Sequence, residues 1–149
     1  MILGAFGSGR ASKIDENLWQ GGYPISGFSK IDVIVLAARD LQPDVNIFPA
    51  NIEVILAPMD DFEDGPSVED QRTAFRAAQA VADRLERGKR VLVTCVAGRN
   101  RSGLINALVL VFKYGISGRE AVARIQAIRP LALSNPSFVA FLNRIPAKT

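Results

Sequence analysis

Cys95, the only cysteine in the chain, is followed after five residues by Arg101 and then by Ser102. All three lie in the run Val91–Gly103, V-L-V-T-C-V-A-G-R-N-R-S-G. A thiol is a weak nucleophile until it ionises, and helix N-termini and nearby guanidinium groups favour the thiolate. A guanidinium fork can bind two phosphate oxygens at once. This spacing therefore describes a thiolate at the floor of an oxyanion cradle, with a phosphorus atom held above it. A second constellation is acidic: Pro58–Pro66 reads P-M-D-D-F-E-D-G-P. Taken singly, each feature has a plainer reading. A lone cysteine at a strand end is usually a small buried hydrophobe, and a cluster of acids is usually a solvated loop.

The elements around the cysteine favour the chemical reading. Val91–Val93 is an apolar run that predicts a buried strand, and Leu104–Phe112 is apolar nearly all round, which predicts a buried helix. Cys95 then sits where a strand ends, and Ser102 where a helix begins. The first turn of a helix has N–H groups without intrahelical partners and a dipole that favours anions. Successive loop N–H groups add a concave nest. Gly98 lets the backbone approach a ligand closely.

The rest of the chain alternates strands and helices. Leu18–Gly22, Ile31–Ala37 and Ile52–Ala57 read as strands, the last two as buried ones. Asp40–Asn51 reads as a surface loop or short helix. Ser67–Arg87 reads as a helix capped by Ser67, with Glu69 and Asp70 suiting its dipole and Val68, Phe75, Ala78, Ala82 and Leu85 marking its buried face. Ser117-x-x-Glu120 is a capping box for a helix whose inner face is Ala121, Val122, Ile125 and Ile128, closed by Arg129-Pro130. Asn135 caps a last helix with Pro136 at its first position, and Phe138, Leu142 and Ile145 point inward. Met1–Arg10 reads as a glycine-rich lead-in, with residues 1–12 flexible, and Gly7-Ser8-Gly9 is not bracketed as a phosphate-binding motif would be. Such alternation predicts an α/β fold with its ligand at the carboxyl ends of strands.

C-V-A-G-R-N-R-S is similar to the signature C-x5-R-[S/T] of the cysteine-dependent protein tyrosine phosphatase superfamily, and most nearly to its small dual-specificity group. Ile14–Gly22 resembles the opening strand of that group, Pro58–Asp61 its general-acid segment, and Arg129–Leu142 its C-terminal stretch. The resemblance implies one catalytic domain over 1–149, with a four- to five-stranded, mostly parallel sheet and helices on both sides. It implies a phosphomonoester hydrolase with a phosphocysteine intermediate. Cys95 would be the nucleophile, Arg101 and the N–H groups of Val96 to Arg101 the phosphate cradle, and Asp61 the general acid, with Asp60 the runner-up. Ser102 would steady the thiolate. Val96, Ala97, Gly98, Arg99, Asn100 and Asp60 would meet the substrate. No metal and no cofactor is implied. One departure stands out: the family's usual histidine before the cysteine is Thr94 here, and the chain has no histidine.

Phosphorylated protein is the default substrate of the group. A-G-R-x-R-S also resembles loops acting on phospholipid headgroups, and N-R-S-G resembles the N-R-T-G of RNA 5′-triphosphatases. A reading of another class is a phosphate-binding module with little turnover, since Thr94 replaces the histidine. A redox role for Cys95 lacks a second cysteine to resolve an oxidised one. A net charge of +3 suits an anionic substrate but is too small to argue for nucleic acid outside an RNA 5′ end. A single cysteine fits a reducing, cytoplasmic setting. No apolar run approaches the ~20 residues of a membrane span.

Overall fold

The structure is a computed structural model that describes residues 2–6, 9–24 and 28–149. Six strands form one sheet: β1 (Ile2–Phe6), β2 (Gly9–Asp15), β3 (Leu18–Gly21), β4 (Val33–Ala38), β5 (Glu53–Met59) and β6 (Val91–Thr94). The spatial order is β1-β2-β3-β6-β4-β5. β3, β6, β4 and β5 are parallel neighbours, while β1 and β2 add antiparallel pairs at one edge. The mostly parallel α/β sheet is as expected, but it has six strands rather than four or five. The added strands come from the segment read as a lead-in; Gly7 and Ser8, on which the phosphate-motif question turned, lie outside the described residues.

β6 and β4 are the inner pair of the four parallel strands, and every residue of both is buried. Their residues alternate between two clusters. Val33, Val35, Val91 and Val93 join a large core with the helices α1 (Val68–Glu86), α2 (Arg101–Tyr114), α3 (Gly118–Ile128) and α4 (Pro136–Asn143). Ile34, Leu36 and Leu92 face the other way, against Trp19, Ile31, Phe48 and Ile52. All four α-helices thus pack on one face. Helices on both faces, as the resemblance implied, are not what the chain builds: segments 28–31 and 45–52, each with a short 3-10 turn, cover the second face. β5 is an edge strand and only partly buried, with Leu56 at 57% exposure, rather than the buried strand its composition suggested.

α1 runs one residue inside the expected bounds at each end, with Ser67 Oγ accepting from Asp70 N–H. Its buried face is Asp70, Ala74, Ala77, Ala78 and Val81, and Val68 is exposed, so the predicted face was rotated from the real one. The small alanines let α1 lie close against α2 and the sheet, and larger Phe75 and Leu85 pack only at the margin. α2 is buried along Arg101–Leu110 and runs through the middle of the helical layer. Ile128 is 46% exposed, whereas Ala121, Val122, Ile125, Phe138 and Leu142 are buried as predicted. At the amino end of the central strands, Asp32 ties β4 to β6. Its carboxylate accepts from Arg90 N–H at 2.8 Å and from Nε and Nη2 at 3.1 and 3.0 Å. That guanidinium and backbone N–H hold the Asp32 carboxyl down to about 2. The opposite, carboxyl end of the same strands is left for the loop after Thr94.

Candidate active site

Loop 95–100 joins β6 to α2. β3 and β6 pair as far as Gly21 opposite Thr94, and Cys95 N–H then reaches Gly21 O at 3.4 Å. Beyond it, every loop carbonyl is held from outside. Val96 O accepts from Tyr23 N–H at 3.0 Å, and Ala97 O from Arg129 Nη2 at 3.2 Å. Gly98 O accepts from both Gln20 Nε2 at 3.0 Å and Arg129 Nε at 2.8 Å. Arg99 O accepts from Leu133 N–H at 3.0 Å, and Asn100 O from Leu104 N–H at 2.7 Å. In a trans peptide the C=O and the following N–H point in opposite directions. The N–H groups of Ala97 through Arg101 are therefore turned to the other side of the loop, and none of them has an acceptor among the described residues. This is a nest of donors with its outer wall fixed.

Gly98 shows how tightly that wall fits. Its φ is +70°, a left-handed value, and a Cβ there would lie 2.5 Å from Gly21 C and 2.7 Å from Arg129 Nη2. Only glycine meets both conditions.

Cys95 is 5% exposed, and its Sγ lies 3.3 Å from Ser102 Oγ, itself fully buried on the first turn of α2. A hydroxyl at that distance can donate to a thiolate. Arg101 is 5% exposed. Its Nη1 donates to Asp40 Oδ1 at 2.5 Å and to Met59 O at 3.1 Å, while its buried Nε has no partner among the described residues. A buried guanidinium N–H without an acceptor is costly, and an oxyanion would satisfy it. Arg101 in turn holds the Asp40 carboxyl below its ordinary range. Arg99 is exposed and Asn100 half-buried, at the mouth of the loop. Thr94 donates its hydroxyl to Val35 O in β4 at 2.9 Å. It ties β6 to β4 and is turned away from the loop.

The acidic loop reaches the cradle through Asp61. Its Oδ2 accepts from Asn100 Nδ2 at 2.9 Å and its Oδ1 from Asn135 Nδ2 at 2.8 Å. Asp60 turns away. Its carboxylate pairs with Arg39 Nε at 3.3 Å, and its N–H donates to Asp70 Oδ2 at 3.0 Å. Glu63 and Asp64 are exposed. Asp61, Glu63, Asn100, Ser134, Asn135 and Pro136 line an open cavity of about 480 Å³ beside the loop.

Several residues that hold this site were read from the sequence only for their local roles. Arg129, taken as the end of a helix, grips two loop carbonyls and Ser12 Oγ. Burial pulls its guanidinium below the ordinary arginine value, and the neighbouring Arg99 charge adds to that. Asp70, taken as a helix-dipole charge, is buried and links Arg39 to the acid loop. Gln20 and Asn106 form a buried pair under Gly98, with Asn106 Nδ2 donating to Gln20 Oε1 at 3.2 Å. Asp40 was part of a surface loop. No short sequence pattern marks these contacts; buried polar types at Gln20 and Asn106, amid apolar runs, were the nearest signal.

The arrangement can bind a tetrahedral oxyanion against a thiol and offer a carboxyl group to it. The family described as "Dual specificity phosphatase, catalytic domain" matches residues 27–147. Among solved structures, Tk-PTP in its active form is 26% identical, with a TM-score of 0.77 over 91% of this chain and 97% of that one. DUSP15 is 24% identical, with a TM-score of 0.75 over 89% of this chain and 85% of that one. PTPMT1 in complex with PI(5)P is 21% identical, with a TM-score of 0.73 over 87% of this chain and 90% of that one. The last two likenesses are of fold. No curated protein sequence matches the chain.

Proposed function

The chain belongs to the dual specificity phosphatase catalytic-domain family and is a cysteine-based phosphatase, and from that premise we propose that it hydrolyses phosphoprotein monoesters, at tyrosine or at serine and threonine, through a phosphocysteine intermediate. The observation that carries the reading is the loop's carbonyl arrangement, which leaves five N–H groups and the buried Arg101 Nε without an acceptor among the described residues, in the loop that begins with Cys95.

Cys95 Sγ attacks phosphorus, forming the S–P bond as the bond to the leaving oxygen breaks. The equatorial oxygens gather charge in that transition state, and the N–H groups of Ala97 to Arg101 with the Arg101 guanidinium stabilise it. Asp61 gives its proton to the leaving oxygen. As a carboxylate it then takes a proton from water, whose oxygen attacks phosphorus while the S–P bond breaks and the thiolate returns. Ser102 Oγ, at 3.3 Å from Sγ, donates to that thiolate as it leaves. Thr94 takes no part, because its hydroxyl is committed to β4.

Hydrolysis of an aryl phosphate, insensitive to chelators and blocked by vanadate, tests the reaction. Cys95→Ser and Arg101→Lys should each lose at least ~100-fold, one removing the nucleophile and the other the bidentate fork. A panel of phosphopeptides, phosphoinositides and triphosphate-ended RNA tests the substrate; preference for either of the last two would replace the phosphoprotein reading. A protein that binds phosphate but turns over none of them is a binding module.

A further inference from the structure

We infer that Asn135 is the positioning residue for the Asp61 carboxyl, an inference that rests on the general-acid role proposed above. Its polar groups are shared among three elements. The backbone N–H donates to Asn100 Oδ1 at 2.9 Å, within the catalytic loop. The two side-chain N–H bonds go to Asp61 Oδ1 at 2.8 Å and to Phe62 O at 2.9 Å, in the acid loop. Oδ1 accepts from Ser137 N–H at 3.0 Å and caps α4. The orientation of the amide is fixed by these partners. Turned over, it would set its oxygen against a carboxylate and a carbonyl, and its N–H groups against an N–H.

Asn100 closes the triangle by donating Nδ2 to Asp61 Oδ2. Each carboxylate oxygen thus accepts one N–H and keeps a second lone-pair position. A proton on Asp61 cannot pass to either asparagine, since neither offers an acceptor to it. It stays in one of the open positions, available to the leaving oxygen. The clamp aims the acid without consuming its proton, and no other residue type does both of Asn135's jobs. Serine keeps a capping oxygen but has one short O–H in place of two amide N–H groups, so it cannot hold Asp61 and Phe62 O together; aspartate keeps the cap, loses the donors and repels Asp61; glutamine carries its oxygen too far out to cap.

The test compares kcat/KM on phenyl phosphate with that on an aryl phosphate bearing a strongly electron-withdrawing ring, whose phenolate leaves almost without a proton. The ratio of the two is the readout, because a general loss of folded protein moves both together. Asn135→Ser should lower the ratio by up to about tenfold, the expected effect of losing one hydrogen bond to the acid. In an Asp61→Asn background the same change should lower it no further, since the group to be aimed is gone. Should Asn135→Ser not fold, Asn135→Asp retains the α4 cap and should lower the ratio at least as much. In either variant, the amides of residues 60–65 should exchange faster with deuterated water. An unchanged ratio in both folded variants, with Asp61→Asn showing its leaving-group dependence, overturns the inference alone. No turnover in wild type, or no leaving-group dependence in Asp61→Asn, overturns the Asp61 role and the inference with it.

Discussion

Gly98→Ala concentrates the demands of the cradle in one methyl group. The added Cβ would sit 2.5 Å from Gly21 C, about 0.9 Å inside the 3.4 Å at which ordinary contact begins. Gly21 cannot retreat, because it pairs with Thr94 in the centre of the sheet. Arg129 Nη2, 2.7 Å from the same Cβ, holds Ala97 O and would have to release it. The loop must therefore move by roughly the missing distance. A displacement near 1 Å at reacting groups costs about 100-fold in rate. The left-handed φ adds about 1–2 kcal/mol for any residue with a Cβ, and crowding adds about 1–3 kcal/mol. We expect kcat/KM on an aryl phosphate to fall ~100-fold and stability to fall by ~2–5 kcal/mol in urea denaturation. Gly88→Ala separates the two terms. Its φ is +78°, but nothing lies within 4 Å of the added Cβ. It should cost ~1–2 kcal/mol and leave turnover unchanged. A Gly98→Ala protein with wild-type kcat/KM would refute the claim that the loop's outer wall sets the position of its donors.

Asp61→Asn should cost little on an activated aryl phosphate and ~100- to 10,000-fold on an unactivated ester, whereas Asp60→Asn, which breaks a pair with Arg39, should lower both by a similar, smaller factor. The reverse pattern would move the acid to Asp60. Asp32 is held to about 2 when folded against 3.8 unperturbed, so its stabilising effect is full above pH 4 and fades as pH falls towards 2. The stability gap between wild type and Asp32→Asn, measured by urea denaturation, should narrow over that window; a gap constant with pH would show that the Arg90 pair does not set it. Asp40→Asn removes the charge that anchors Arg101 Nη1, and should lower kcat/KM severalfold with vanadate binding weakened in parallel. Equal vanadate affinity in that variant would mean the guanidinium holds its place without Asp40.

What could be read from the sequence is what the chain writes locally. The strand–loop–helix around Cys95, the Ser67, Ser117 and Asn135 caps and the buried α2 all follow from patterns within a few residues, and the structure has each. What escaped are second partners far along the chain. Asn135 is legible as a cap because Ser137 is two residues on, but its bond to Asp61 spans 74. Arg129 is legible as a helix end, but it grips a loop more than thirty residues earlier. Asp40 carries no pattern until Arg101, 61 residues on, is brought beside it. The α1 face was misread for a different reason. Val68, Phe75 and Leu85 were weighted over Ala74 and Ala77, whereas the close approach to α2 selects small residues; Ala78 alone of the buried positions was read as such.

The central claim is that phosphate passes through Cys95. Asp61→Asn should slow the second step, in which a base must take a proton from water, so it should let the intermediate accumulate on a substrate with a good leaving group. Rapid quenching of that variant during turnover, followed by mass spectrometry of its peptides, reads the intermediate directly. One phosphoryl group is expected on Cys95, absent from Cys95→Ser, which should also lack turnover. A phosphoryl group on any other residue, or full hydrolysis by Cys95→Ser, would contradict it.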